Sequence, residues 1–354
     1  MSANTFLLLC SVIAFSLVSC YSKVSQRVQT DFDRFPIEKK IEEVKLLNLD
    51  QLNTDYLDLG SDSILFIGSG EGYRGYHFAL YNLAKKSFLH PQLAAGRKEG
   101  QSLSFLSYGI EQNFIWSFDI NKEKIVMSGF DSVGETSNHF VKEIAVPEFY
   151  YSVQLLNDTM LLASGNYEAN DNFQISMVNL KNGEIVKQMA PYSSDSTLPF
   201  TRPKKMAYES FLFVKPSKNK CVLACRYADK IEIVELLSGK SKTIHGPVGF
   251  RPEMLVVTGS NSKQISVRGP NTKFAFIQGD VTDNFIYLLY SGNKEGTSHQ
   301  FYGKYIYIYD WKGQPVQRLE LENDTKAFAV TSDDSRVYTY DPKSKYINTA
   351  QIKN

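Results

Sequence analysis

The sequence has no excess of charge of either sign, because 39 Lys and Arg residues balance 38 Asp and Glu residues. Such a balance lacks the basic character of nucleic-acid-binding proteins, so we expect no nucleic-acid partner. Histidine is scarce, with five residues among 354. No two are spaced as in H-E-x-x-H or H-x-H zinc motifs. These shortages argue against nucleic-acid binding and against histidine-based zinc catalysis.

Cysteine is also rare. Cys10 and Cys20 lie near the N-terminus, and only Cys221 and Cys225 lie in the body of the chain. On a strand, residues four apart are separated by about 13 Å, which is too far for a disulfide. No further Cys, and no nearby His, follows this pair in sequence. We therefore expect two buried free thiols, and we assign no metal and no other cofactor.

One apolar run stands out, "FLLLCSVIAFSLV" at residues 6–18. It is too short to span a bilayer comfortably and is typical of the hydrophobic region of a signal peptide. It ends in "LVSC", which resembles the bacterial lipobox, although the preceding "MSANT" has no Lys or Arg. The resemblance implies cleavage before Cys20, lipidation of Cys20 and a membrane anchor. An ordinary secretory signal is the alternative.

The sequence predicts three regions. Residues 1–19 form the signal peptide, residues 20–40 the lipidated cysteine with a polar tether, and residues 41–354 the folded domain. Tyr21 follows Cys20 where an Asp would signal retention in the inner membrane, so the lipobox analogy predicts the outer membrane. The expected location is thus the cell envelope.

From residue 41 onward, short apolar or alternating runs such as "SILFIGS", "KIEIVEL" and "RVYTYD" are separated by Gly, Asn, Asp and Ser. Runs of this length, rich in β-branched and aromatic residues, predict an all-β domain. In "YIYIYDW", Tyr305, Tyr307 and Tyr309 face one side of a strand, and Ile306 and Ile308 face the other. Weaker copies recur along the chain.

Six such units of about 56 residues fill the mature chain, and a repeat of about four strands is typical of a β-propeller blade. The last unit shows only three strands. We therefore predict a six-bladed β-propeller that is closed by a strand from residues 41–49.

The stretches "FIQGDVTDNFIYLLYSG" and "GKYIYIYDWKGQPVQRLEL" resemble the TolB-like six-bladed propeller lipoproteins of gram-negative anaerobes, and "AAGRKEGQSLSF" is a further stretch that resembles them. In this further stretch, Lys98 and Glu99 replace the Gly-Pro that the family often carries. The resemblance implies the propeller fold and an envelope location. It implies no catalytic residues.

Gly70, Gly72 and Gly75 spell G-x-G-x-x-G in "ILFIGSGEGYRGYHFALY". A dinucleotide-binding fold needs this motif between a strand and a helix. Here the following "YHFALYNL" has a strand pattern, and no kinase-like catalytic segments occur downstream. The sequence therefore predicts a hairpin loop in the first blade.

Ligands of propellers bind where loops surround the central channel. We expect contacts there from Tyr73, Arg74, Arg202 and Arg251. The favoured function is a non-enzymatic binding module for a protein or glycan partner, with no catalytic residue. The alternative is a metal-dependent hydrolase or lactonase at the central channel. It would require oxygen ligands to converge, with these candidates: Asn157, Glu209, Asp280 and Asp283.

Overall fold

A computed structural model describes residues 28–111, 114–129, 139–192, 202–259 and 262–353. These residues form strands with one short helix. No helix within these ranges is both long and apolar enough to cross a membrane. The first three strands precede the repeating units: β1 (Val28–Asp31), β2 (Glu38–Lys40) and β3 (Val44–Asn48).

Three antiparallel sheets follow, and we call them blades 1 to 3. Blade 1 contains β4 (Tyr56–Gly60), β5 (Ile64–Tyr73), β6 (Tyr76–Asn82), β7 (Ser87–Phe88) and β8 (Gln92–Ala94). Blade 2 contains β9 (Ser107–Ile110), β10 (Phe114–Asp119), β11 (Lys124–Gly129) and β12 (His139–Ala145). Blade 3 contains β13 (Ser152–Asn157), β14 (Met160–Ser164), β15 (Phe173–Asn179) and β16 (Ile185–Pro191).

Helix α1 (Arg202–Ala207) then leads into blades 4 to 6. Blade 4 contains β17 (Ser210–Val214), β18 (Lys220–Cys225), β19 (Lys230–Glu235) and β20 (Ser241–His245). A separate hairpin follows, with β21 (Met254–Thr258) and β22 (Gln264–Arg268). Blade 5 contains β23 (Phe276–Val281), β24 (Phe285–Tyr290), β25 (Gly303–Asp310) and β26 (Pro315–Thr325). Blade 6 contains β27 (Ala327–Val330), β28 (Arg336–Asp341) and β29 (Tyr346–Gln351).

The blades form a ring, in which the first strands of the repeating units contact one another around the central channel. Neighbouring strands within a blade are antiparallel, so successive turns alternate between the two ends of the channel. We call the end where the inner strands begin the start face, and the end where they finish the end face. The loops between blades and the turns after each second strand lie on the start face.

Apolar side chains fill all six interfaces between neighbouring blades, since one buried cluster joins each pair. The strand β25 shows how a single blade serves two interfaces. Tyr307 and Tyr309 pack toward blade 4, whereas Ile306 and Ile308 pack toward blade 6. The predicted alternation and the six-bladed all-β fold are therefore confirmed.

The predicted closing strand is also confirmed. β3 pairs antiparallel with β29, from Val44 opposite Thr349 to Asn48 opposite Tyr346, and completes blade 6 as its fourth strand. The chain then passes directly to β4 of blade 1. The ring is thus closed by a strand that precedes the first blade in sequence.

The predicted polar tether is wrong for residues 28–40, whereas residues 20–27 and the signal region lie outside the described residues. β1 pairs parallel with β20 of blade 4, and β2 pairs parallel with β26 of blade 5. Between them, the ring of Phe35 lies 4.8 Å from that of Tyr307 and 5.0 Å from that of Phe32. This segment therefore packs against the propeller and contributes to the core between blades 4 and 5.

We predict that Phe35→Ala lowers the free energy of unfolding by about 3–5 kcal/mol, because a buried aromatic ring would leave a cavity between two blades. Phe35 is only 3% exposed. Ile37→Ala is the matched control, since Ile37 is 52% exposed and should change stability by less than about 0.5 kcal/mol. Urea unfolding measures both. Equal midpoints for the two variants would show that residues 28–37 do not contribute to the core.

Candidate ligand site at the channel mouth

The start-face end of the channel opens into a cavity of about 480 Å³, which we call the start-face mouth. All six blades or their connecting loops contribute to it, so the site exists only when the ring is complete. Its lining includes Asp55, Tyr56, Gly70, His77, Leu103, Phe105, Tyr151, Phe211, Arg226, Ile277, Phe301 and Lys326.

The glycine-rich stretch of blade 1 lies at this mouth. β5 and β6 are joined by a two-residue turn in which Arg74 has a φ of 52° and Gly75 a φ of 84°. Positive φ at both positions is typical of a type I′ hairpin turn, so the predicted hairpin is confirmed. The amide N–H of Gly70 donates to Asp55 Oδ2 over 2.7 Å. The hydrogen bond that this glycine amide can donate is therefore accepted by the carboxylate of Asp55.

Asp55 is also paired across the mouth. Lys326 Nζ, in the connection between blades 5 and 6, lies 2.6 Å from Asp55 Oδ1. One carboxylate thus accepts both a backbone N–H of blade 1 and an ammonium from the loop before blade 6. Charge-assisted hydrogen bonds of this kind are short and strong, and this one links the first blade to the last.

Arg226 forms the second charged group of the mouth. Its Nη1 atom donates to Glu209 Oε1 and to the hydroxyl of Tyr151, both at 2.7 Å. Glu209 Oε2 accepts a further hydrogen bond from Tyr167 at 3.1 Å. Burial alone would lower the pKa of Arg226, but Glu209 and the neighbouring tyrosines raise it above its ordinary value. The guanidinium is therefore fixed and charged.

Aromatic rings surround these ion pairs. The ring of Phe105 lies 5.2 Å from that of Tyr56, and Arg226 lies over the ring of Phe211 at 5.1 Å. Phe301 is 41% exposed at the rim and packs edge-on against Phe274 at 5.1 Å. The mouth therefore offers apolar ring surfaces next to fixed hydrogen-bonding groups.

His77 completes the wall on the side of blade 1. It is buried, its Nε2 lies 2.8 Å from Ser102 O, and its ring packs against Phe105 at 4.9 Å. Burial lowers its pKa, so the imidazole is neutral at pH 7 and donates through Nε2. His77 therefore adds no charge, and within each of the two ion pairs of the mouth the cation balances the carboxylate.

The opposite end of the channel has a different character. This end-face mouth is also about 480 Å³ and contains Asp58 and Asp280. Both oxygens of Asp280 accept backbone N–H groups, from Val281 and Val330, each at 2.7 Å. Burial raises the pKa of Asp58, and burial together with the charge of Asp58 raises that of Asp280. Tyr108 hydrogen-bonds to Asp58.

The four residues that the sequence suggested as ligand contacts all lie on the start face but do not share one cavity. Arg74 lies over the ring of Tyr73 at 5.0 Å, at the tip of the β5–β6 hairpin. Arg202, at the beginning of α1, pairs with Glu168. Arg251 lines a separate cavity between blade 4 and β1. None of these residues lines the start-face mouth.

The four oxygen ligands considered for a metal-dependent enzyme also fail to converge. Asp280 and Asp283 line the end-face mouth, and Asn157 caps the turn after β13 by accepting the amide of Thr159. Glu209 lies at the opposite end of the channel. Over the described ranges, no group of three or more His, Cys, Asp or Glu residues is placed to hold a metal ion.

Cys221 and Cys225 are free and buried on β18, as the sequence predicted. Burial raises the pKa of both thiols above the ordinary value. They are therefore part of the core of blade 4.

Sequence reasoning missed Asp55, Arg226 and Lys326, which are three of the four residues that form the two ion pairs at the start-face mouth. They come from three loops that are far apart in sequence. One signal was available, since each lies where a strand meets the start face. That position does not identify a partner until the blades are arranged in a ring.

The comparisons with known proteins agree with this architecture. A family model described as TolB-like 6-blade propeller-like matches residues 56–333. No curated protein matches the chain with a significant score.

Solved structures give likeness of fold alone. A protein from Bacteroides fragilis NCTC 9343 that is named as an exported protein shares 13% identity with a TM-score of 0.54, over 93% of this chain and 99% of that chain. Raptor from Chaetomium thermophilum shares 8% identity with a TM-score of 0.50, over 89% of this chain and 29% of that chain. The β-propeller domain of Cps50 (Swd1) from Myceliophteria thermophila shares 10% identity with a TM-score of 0.47, over 88% of this chain and 100% of that chain.

The carboxyl pair of the end-face mouth generates a pH-dependent prediction. Because the pKa values of Asp58 and Asp280 are raised on folding, their contribution to stability falls as the pH rises from about 4 through the raised values. Asp58→Asn removes the repulsion while retaining an acceptor for Leu59 N and a partner for Tyr108. We expect the free energy of unfolding of the variant, relative to that of the parent, to rise by about 1 kcal/mol as the pH increases from 6 to 8.

Urea unfolding across this pH range measures the effect. Asp158→Asn is the control, because the side chain of Asp158 is 81% exposed on the same face, and its difference from the parent should stay constant with pH. A constant difference for Asp58→Asn as well would contradict the assigned repulsion.

Proposed function

The chain belongs to the TolB-like 6-blade propeller family, and we propose that it is a lipid-anchored envelope protein that binds a small uncharged ligand, of the glycan type, at the start-face mouth. The observation that carries the proposal is this mouth, a cavity of about 480 Å³ in which aromatic rings surround two ion pairs. The proposed activity is binding without catalysis.

The shape of the site favours a small ligand over a flat protein surface. Ligand pockets are typically concave, of about 300–1,000 Å³, and mostly apolar with a few fixed polar groups. The start-face mouth fits this description, with Phe105, Phe211 and Phe301 beside Arg226 and Asp55. The ring of Phe301 at its rim is exposed to solvent, so a ligand can reach it.

The charges of the site favour an uncharged ligand. The cations Arg226 and Lys326 already have carboxylate partners at 2.7 Å and 2.6 Å, so an anionic ligand would have to displace Glu209 or Asp55. The same ion pairs can still offer hydrogen bonds to hydroxyl groups. A sugar ring matches this combination, because it has an apolar face that stacks on aromatic rings and hydroxyl groups around its edge.

The proposed location rests on the N-terminal sequence. The run "FLLLCSVIAFSLVSC" supports export, cleavage before Cys20 and lipidation of Cys20, with the outer membrane as the destination. The description of the Bacteroides fragilis protein as exported agrees with export of this chain.

We predict that Cys20→Ala abolishes lipidation and releases the protein from membranes, because an acyl chain contributes about 0.8 kcal/mol of membrane affinity per buried CH₂. Mass spectrometry of the N-terminal peptide and fractionation of the envelope measure the two effects. Cys10→Ala is the control and should leave both unchanged. Membrane retention of the Cys20→Ala protein would contradict the anchor.

We predict that the protein binds neutral oligosaccharides on a glycan array and that Phe301→Ala weakens this binding about tenfold, because truncating an aromatic anchor costs more than 1 kcal/mol. Phe173→Ala is the matched control. Phe173 is a comparably exposed phenylalanine, 37% against 41%, at the start-face end of β15 and outside the cavity.

Two outcomes would contradict the glycan proposal. One is a blank array for the folded parent protein. The other is an equal loss for both phenylalanine variants, which would place binding outside the mouth. Capture of an envelope protein that Phe301→Ala alone abolishes would assign the mouth to a protein partner instead.

A further inference from the structure

We infer that the end-face side of blade 4 rests on the lipid bilayer, so that the start-face mouth points away from the membrane. This inference rests on the proposed anchor at Cys20. It concerns the orientation of the propeller, which the anchor alone leaves undefined. Three observations carry it: the route of the N-terminal strand, the turn before β20 and the lysines around that turn.

The first observation is where the chain enters the propeller. β1 pairs parallel with β20, and Val28 lies opposite Lys242 at the beginning of that strand. β20 is the fourth strand of its blade and runs from the end face toward the start face. Cys20 lies eight residues before Val28, so an extended chain would reach at most about 29 Å. The anchor therefore attaches within about 29 Å of the end-face side of blade 4.

The second observation is the turn between β19 and β20, which directly precedes Lys242. Leu237 at its tip is 96% exposed. The turn is held in place because Lys187 of blade 3 donates to Leu236 O at 3.0 Å and to Leu237 O at 2.6 Å. The amide of Gly239 closes it by donating to Glu235 O at 2.7 Å. A fixed turn thus projects a leucine from the same edge of the propeller.

The third observation is the charge around this turn. Lys240 and Lys312 are exposed on neighbouring end-face turns, and Lys242 Nζ joins the two turns by donating to Lys312 O at 2.9 Å. The nearby carboxylate of Glu235 accepts a hydrogen bond from Ser238 and lies 3.7 Å from Lys220.

These features fit a membrane surface with anionic headgroups. A lysine close to such a surface is attracted electrostatically, and an exposed leucine gains by entering the interface. Both lie beside the attachment point of the lipid, which raises their effective concentration at the bilayer. The bilayer therefore covers this edge, and the start face remains open to its ligand.

The test uses the full-length lipidated protein in vesicles of phosphatidylcholine and phosphatidylglycerol whose headgroups carry a fluorescence quencher. A fluorophore is placed on blade 5 at either end of the channel, through Gln314→Cys on the end face or Ser298→Cys on the start face. Both positions are exposed, whereas the native Cys221 and Cys225 are buried. We expect strong quenching at position 314 and little at position 298.

A second pair of variants tests the turn itself. Leu237→Ser should lower the population of the membrane-resting state about tenfold, because one leucine no longer enters the bilayer interface. Quenching at position 314 should fall accordingly. Leu255→Ser is the control, because Leu255 is also exposed but lies on the start-face hairpin. Vesicles of phosphatidylcholine alone should likewise reduce quenching at position 314.

Flotation of the vesicles measures attachment of the protein to the membrane separately from its orientation. If the protein floats with the vesicles and position 298 is quenched as strongly as position 314, or neither is quenched, the orientation is wrong. The orientation is also wrong if Leu237→Ser and Leu255→Ser behave alike. Failure to float, with an unmodified N-terminal peptide, would overturn the anchor and the orientation that depends on it.

Discussion

The ring depends on the antiparallel pairing of β3 with β29, because no blade is stable without a neighbouring blade on each side. Each blade presents apolar side chains on both faces, as Tyr307 and Ile306 show for β25. Such a sheet exposes one apolar face unless it has a neighbour on each side, and only a closed ring gives every blade two neighbours. The strand that completes blade 6 runs straight into blade 1, so the same covalent segment joins the ends of the ring.

The fold could be predicted from the sequence wherever the signal was local. Alternation in "YIYIYDW" fixed which side chains face each neighbour, and the missing fourth strand of the last unit pointed to residues 41–49. The strands β1 and β2 could not be predicted in the same way. They are four and three residues long, and they add to the outer edges of blades 4 and 5 through backbone hydrogen bonds. Phe32 and Phe35 stand among polar residues in this stretch, and both pack against the propeller.

The candidate site was predictable only to the level of a face. The start face does hold Tyr73, Arg74, Arg202 and Arg251. The order of the strands within a blade determines at which end of the channel each turn lies. Which side chains meet there depends on the closed ring. Asp55 and Lys326 are far apart in sequence and become neighbours only when blade 6 lies beside blade 1. The glycine stretch illustrates the same limit, since the acceptor for Gly70 is a carboxylate fifteen residues earlier that no phosphate-binding motif would indicate.

The two ends of the channel therefore differ in how they treat charge, and the difference has a physical consequence. At the start face every cation described at the mouth has a carboxylate partner, so charge is balanced before any ligand binds. At the end face, Asp58 and Asp280 line the same cavity, and burial together with the charge of Asp58 raises the cost of ionising Asp280. Backbone N–H groups of Val281 and Val330 offset part of that cost. A ring in which all six interfaces are buried can tolerate such a local cost, because the pair is held by strands that the whole ring stabilises.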